Sequence, residues 1–301
     1  MENIDALQIN FSPDQLGLLN ICLSFLVFGI ALDIKVADFQ YLLQHPKTTL
    51  VGLISQLILL PILTLALIYV FSPPASMALG MLLVGVCPGG STSNFMVHIA
   101  KANTALSITL TSVVTLGAIV LTPLSFTWLS QFIPGTESLQ QNIHVSPQQM
   151  FLTIIQLVVV PLFLGMGLNH RFPRLTDRLR RPIRILSILI FLGFVVIAAA
   201  KNYDNIVQYL HRVFLIVLTY NGLALLMGYA WSQLNKLPQA DARAIAIETG
   251  IQNSGLALIL IFNFFDGLGG MALVAAWWGI WHLISGFGLA MWWSRTAEAK
   301  G

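Results

Sequence analysis

The sequence predicts an all-α polytopic membrane protein with nine transmembrane helices, and three observations carry that reading. Of the 301 residues 56% are hydrophobic and only 9% charged, with a mean hydropathy of +0.81. A soluble domain carries roughly 25% charged residues, so no soluble class fits. The apolar residues fall in runs of about 20 or more, the length a helix needs to cross the hydrocarbon core. Finally, the 15 basic residues sort almost wholly to one side once nine spans are drawn.

Residues 1–14 are polar and mildly acidic and lack the basic region of a cleavable signal, so the first apolar run is expected to remain as a membrane helix. Spans are expected at 15–34, 48–70, 75–100, 104–130, 147–169, 182–200, 208–234, 241–265 and 270–294. Pro73-Pro74, Pro134-Gly135, Pro238 and Gly267 mark short connections. No low-complexity or soluble segment intervenes, and residues 1–301 are read as one membrane domain. Cys22 and Cys87 both lie inside apolar runs and have the spacing of neither a disulfide framework nor a zinc site.

Cytoplasmic loops hold most Lys and Arg. With nine spans, only Lys201 and Arg212 of the 15 basic residues fall on one side; the rest, from Lys35 and Lys47 to Arg295 and Lys300, fall on the other. The expected topology is an outside N-terminus and a cytoplasmic C-terminus, in the plasma (inner) membrane. The basic cluster at 171–184 is read as part of this bias, and neither nucleic acid nor an obligate protein partner is expected.

Two interruptions organise the chain. One is Cys87-Pro88-Gly89-Gly90-Ser91-Thr92-Ser93-Asn94, in the third span; the other is Glu248-Thr249-Gly250-Ile251-Gln252-Asn253-Ser254-Gly255, in the eighth. Each mixes helix breakers with small polar side chains. Backbone that leaves helical geometry in a membrane is tolerated only where it lines a cavity or meets protein groups. The flanking spans also match: 48–70, 75–100 and 104–130 correspond to 208–234, 241–265 and 270–294, in opposite directions. This is the pattern of an inverted repeat, whose sites lie at the midplane where discontinuous helices meet.

Glu248 is the acidic residue placed deep in a span, roughly 10 Å from the boundary at about 1.5 Å per residue. An intramembrane carboxylate is by default a functional-site hypothesis. No Lys or Arg lies at similar depth, so a bound cation is its natural partner; a protonated Glu hydrogen-bonded in the bundle is the alternative. Hard cations such as Na⁺ favour oxygen ligands. Ser93, Asn94, Gln252 and the Thr249 and Ile251 carbonyls offer these beside Glu248. Ser107 and Thr111 face one side at i and i+4, although their hydroxyls can instead bond their own helix. Gln56 reads equally as a ligand or as interhelical glue. His282, mid-way along the last span, reads as a contact to substrate or proton, or as a satisfied bundle histidine. The half-helix beginning near Ser91 presents free N–H groups to an anion.

These residues resemble the bile acid:sodium symporter family and its bacterial homologues. The resemblance is carried by Gly85-Val86-Cys87-Pro88-Gly89-Gly90 with Ser93-Asn94, by Asn103-Thr104-Ala105-Leu106-Ser107 with Thr111, and by His45-Pro46-Lys47. Gln56 with Pro61, Glu248 to Ala257, and Trp281-His282 extend it over nearly the whole chain. It implies a core (about 48–130 and 208–294) whose broken helices cross, beside a panel (about 15–34 and 147–200). It also implies two Na⁺ ions. Ser93, Asn94, Ser107, Thr111 and Glu248 would hold one; Gln56, Glu248, Gln252 and the Thr249 and Ile251 carbonyls would hold the other. Ser91, Asn253 and His282 would lie on the substrate side. Two features depart from the ten-span bacterial members: no helix precedes residue 15, and Ser91-Thr92 stands between the glycines and Ser93.

The function so implied is sodium-coupled uptake of an organic anion, a small carboxylate or a bile-acid-like molecule, by alternating access. A proton-coupled carrier using Glu248 and His282 is the alternative. An intramembrane hydrolase would need a base, a nucleophile or a metal set, and the spans offer one deep Glu and one deep His with no second carboxylate. A channel or sensor would bind ligand without concentrating it.

Overall fold

The computed structural model describes residues 4–6, 41–136 (42 and 91 apart), 147–180 and 203–298, with scattered positions in 17–32 and 182–193. The expected spans at 15–34 and 182–200 therefore lie largely outside the described residues. Everything long in the described chain is helix. We number the helices α1 (Pro46–Phe71), α2 (Ala75–Val86), α3 (Thr92–Ile99), α4 (Thr104–Ser130), α5 (from Pro147–Ile154 through to Val160–Arg171), α6 (Tyr203–Leu234), α7 (Gln239–Gly250), α8 (Ser254–Phe264) and α9 (Gly269–Glu298).

Five of these contain a segment long and apolar enough to cross a membrane: α1, α4, α5, α6 and α9. Helices α2 and α8 are apolar but short; α2 ends at the first interruption and α8 begins at the second. The chain is an all-α membrane protein. Its surface agrees, since Ile58, Ile62, Leu124, Phe163, Leu226 and Ile284 all expose more than half of their area.

Prolines shape the long helices. Pro61 and Pro161 each follow a π-helical turn, at Ser55–Leu59 and Ile155–Val159. A proline inside a helix has no N–H to donate and its ring clashes with the carbonyl four residues back. One wider turn before it absorbs both faults. In α1 that turn carries Gln56, buried at 3% exposure.

Helices α2 and α9 pack closely because glycine permits it. A Cβ on Gly80 would sit 2.7 Å from the Met271 Cα, and one on Gly270 would sit 2.9 Å from the Met77 backbone nitrogen. Small residues let membrane helices approach where no hydrophobic force pushes them together. The N-terminal region is tied to this bundle as well. Asp5 accepts the Ser76 N–H at 2.8 Å, and the side chains of Asn20 and Asn263 exchange hydrogen bonds of 3.0 and 2.8 Å. Asn20 thus lies against α8. Gly80→Val should lower stability by about 1–3 kcal/mol, read as a fall in thermal midpoint in detergent. Gly167→Ala on α5, where a Cβ meets nothing within 4 Å, should change it by less than about 0.5 kcal/mol.

Candidate functional site

Helix α2 stops because Pro88 cannot continue it. Cys87 is already extended (φ −70°, ψ 153°), and α3 begins only at Thr92. Helix α7 stops at Gly250, with Ile251 extended (φ −109°, ψ 97°), and α8 resumes at Ser254. The two breaks lie against each other. Gly89 and Gln252 form an antiparallel bridge, the Asn253 N–H donates to Pro88 O at 2.8 Å, and the Gly90 N–H donates to Ile251 O at 3.3 Å. Each break supplies part of what the other lost. A Cβ on Gly89 would lie 3.2 Å from Glu248 Oε2, so glycine lets the first break pass directly over the carboxylate.

Glu248 is wholly buried. Its Oε1 accepts from Ser93 Oγ and Ser107 Oγ, both at 2.5 Å, and its Oε2 accepts from Thr111 Oγ1 at 2.9 Å. Helices α3, α4 and α7 thereby converge on one carboxylate. Asn94 joins them, its Oδ1 lying 2.7 Å from Ser107 Oγ and 3.1 Å from Thr111 Oγ1. Ser93 Oγ also lies 2.6 Å from Gly90 O. Each of these three hydroxyls has one hydrogen to give and two acceptor oxygens within bonding distance. The cluster is therefore rich in lone pairs and short of hydrogens, a set that an added cation or proton completes. Among the described residues no basic side chain pairs with Glu248, and no three His, Cys, Asp or Glu side chains group together. The oxygen-only donors fit a hard cation such as Na⁺.

The second predicted set surrounds the second break. Gln252 is buried, and its Nε2 donates to Thr249 O at 2.8 Å and more weakly to Glu248 O at 3.4 Å. Its Oε1 has no partner, and neither amide atom of Gln56 has one. Buried amide oxygens without donors are rare enough to demand a reason. Ser55, the residue before Gln56, shares a 2.7 Å hydrogen bond with Thr249 Oγ1 and so anchors the π turn of α1 to the end of α7.

The predicted substrate-side residues are less concentrated. Ser91 lies outside the described residues. Asn253 is half-buried, and its Oδ1 caps α8 by accepting the Leu256 N–H at 3.0 Å. His282 is buried on α9 with Nδ1 unpartnered, and among the described residues no hydrogen bond links its side chain to Glu248 or Gln252.

Three polar residues that the sequence reading did not single out support the breaks. Thr122 Oγ1 donates to Val86 O at 2.9 Å, and Asn221 Nδ2 donates to Gly250 O at 2.7 Å. Ser285 Oγ donates to Asn221 Oδ1 at 2.6 Å. Asn221 carried a signal that could have found it, an amide in mid-span like that of Gln56. Thr122 carried none, because a membrane threonine commonly bonds its own helix.

Residues 20–209 match the Sodium Bile acid symporter family. A Bacillus subtilis (strain 168) protein named as the uncharacterized sodium-dependent transporter YocS is 32% identical over 283 residues, 94% of this chain and 84% of its own length. The chain belongs to this family. Plant relatives extend the similarity. A probable chloroplastic sodium/metabolite cotransporter of Oryza sativa subsp. japonica is 28% identical over 86% of this chain, which spans 64% of that protein. One of Arabidopsis thaliana is 29% identical over 92% of this chain and 67% of its own length. As a member, the protein is a sodium-dependent transporter of the membrane and not an enzyme. Thr122→Val should leave Val86 O without its side-chain donor and cost about 1–3 kcal/mol, measured by thermal unfolding in detergent.

Proposed function

We propose that this protein is a sodium-coupled symporter that takes up an organic anion, a small carboxylate or a bile-acid-like molecule, by alternating access. One observation carries the reading: the two breaks meet over a buried carboxylate whose hydroxyl neighbours run short of hydrogens. Two Na⁺ ions are the counterpart. Ser93, Asn94, Ser107, Thr111 and Glu248 hold the first. Gln56 and Gln252, whose amide oxygens are unpartnered, hold the second with Glu248 and the carbonyls of Thr249 and Ile251. Glu248 belongs to both sets, so one carboxylate serves both ion sites.

On this reading the chain is a nine-span inverted repeat with an outside N-terminus and a cytoplasmic C-terminus, in the plasma membrane. The core holds α1 to α4 and α6 to α9, and the panel holds α5 with the spans at 15–34 and 182–200. The anion sits between core and panel, near Ser91, Asn253 and His282. Sodium joins the two breaks into one rigid surface, the anion docks against it, and inward sodium flow drives the change of access. The names of the relatives, sodium-dependent transporter and probable sodium/metabolite cotransporter, agree with coupling to sodium.

The test is ligand-induced thermal stabilisation, because a ligand that binds only the folded state raises its stability by mass action. Purified protein should be stabilised by Na⁺ and not by K⁺, and further by one anion from a scan of small carboxylates and bile acids. Glu248→Gln should abolish both shifts and sodium-dependent uptake in proteoliposomes while the protein still reaches the membrane. A shift that ignores Na⁺ and follows pH would replace this reading with proton coupling.

A further inference from the structure

The end of α7 releases a run of carbonyls inside the membrane, and each can be traced to its donor. Ile247 O accepts the Ile251 N–H at 2.9 Å, Thr249 O and Glu248 O receive the Gln252 amide, and Ile251 O accepts the Gly90 N–H. All of these donors lie within the two breaks. Gly250 O is held from outside, by Asn221 Nδ2 of α6 at 2.7 Å. Asn221 is 0% exposed. Its amide can face Gly250 only with Oδ1 turned away, and there Ser285 Oγ of α9 donates to it at 2.6 Å. Ser285 Oγ also lies 3.3 Å from the His282 carbonyl, one turn back on the same helix.

Close packing brings so short a side chain within reach. A Cβ on Gly250 would lie 2.4 Å from Leu225 Cδ2, and one on Gly228 would lie 3.0 Å from the Ala246 Cα. Asn221, Leu225 and Gly228, at i, i+4 and i+7, form one face of α6 laid against α7. The consequence falls on the next peptide. Ile251 is extended, and in an extended chain successive carbonyls point to opposite sides. Holding Gly250 O towards α6 therefore turns Ile251 O away from it, towards Gly90 and the meeting of the breaks. A carbonyl freed there finds no water, so without Asn221 the peptide plane rotates in search of a donor.

We infer that Asn221 is a positioning residue for the second sodium site, and that Ser285 ties that site to the helix carrying His282. The inference rests on the sodium-coupled reading above. Asn221 touches neither ion nor anion; it sets the peptide plane that aims the Ile251 carbonyl. Partners one shell out from a metal typically change its affinity by about ten- to a hundredfold when removed.

The probe is Na⁺ alone, titrated against purified full-length protein at constant ionic strength with K⁺, with the thermal midpoint as readout. In Asn221→Ala the half-saturating Na⁺ concentration should rise about tenfold or more. In Ser285→Ala, which keeps the Asn221 amide but frees its orientation, it should rise by less than in Asn221→Ala. A merely structural role would lower the midpoint in K⁺ and leave the half-saturating concentration where it was; that result in both variants overturns the inference. If Asn221→Ala does not fold, Ser285→Ala decides alone, a rise supporting the inference and an unchanged value overturning it. Wild-type protein that ignores Na⁺ would sink the sodium-coupled reading itself and this inference with it.

Discussion

Backbone that leaves helical geometry inside a bilayer has to find donors and acceptors within the protein, and here two such segments find many of them in each other. Pro88 O, Ile251 O and the N–H groups of Gly90 and Asn253 are exchanged across the meeting of the breaks. Two side chains from flanking helices, Thr122 and Asn221, take up carbonyls at the helix ends. Each peptide group left unpaired in hydrocarbon would cost several kcal/mol, as much as a large part of the net stability of a whole domain. Neither break is tolerable without the other. The rest of the bundle, from the glycine contact of α2 with α9 to the packing of α6 on α7, holds the two in register.

Glu248 sits where that constraint is tightest. Burying a carboxylate costs several kcal/mol even after the protein relaxes, and no described basic side chain offsets it. Hydrogen bonds to a charged group return about 1.5–3 kcal/mol each, so Ser93, Ser107 and Thr111 recover a sum of the same order. These hydroxyls are also claimed by Asn94 Oδ1 and Gly90 O. The terms nearly cancel, and a site so balanced responds strongly to one added positive charge. A well-paired Glu–Lys bridge at the same place would have been inert to sodium. On the proposed reading the absence of a permanent partner is what makes the carboxylate useful.

Much of this was legible in the chain. The runs at 104–130 and 208–234 correspond to α4 and α6, and Pro88 and Gly250 lie where the helices stop. Glu248, singled out by its depth, is the carboxylate on which α3, α4 and α7 converge. Other features had no local signature. The π turns before Pro61 and Pro161 follow from proline chemistry, yet the same residue in α4, Pro123, sits in a continuous helix. A proline says that the backbone must adjust, and neighbouring helices say how.

Composition and spacing alone determined the class of protein, the places where helices break and the one deep carboxylate, because bilayer thickness and the missing N–H of proline act within a few residues. Tertiary structure decided which oxygens share that carboxylate. A serine or threonine in an apolar helix always has a local alternative, and Thr109 and Ser232 take it, bonding the carbonyls of Ala105 and Gly228 one turn back. Ser107 and Thr111, on the same helix as Thr109, reach Glu248 across sequence separations of 141 and 137 residues instead. The difference lies in the face of α4 that meets α7, and only packing sets that face.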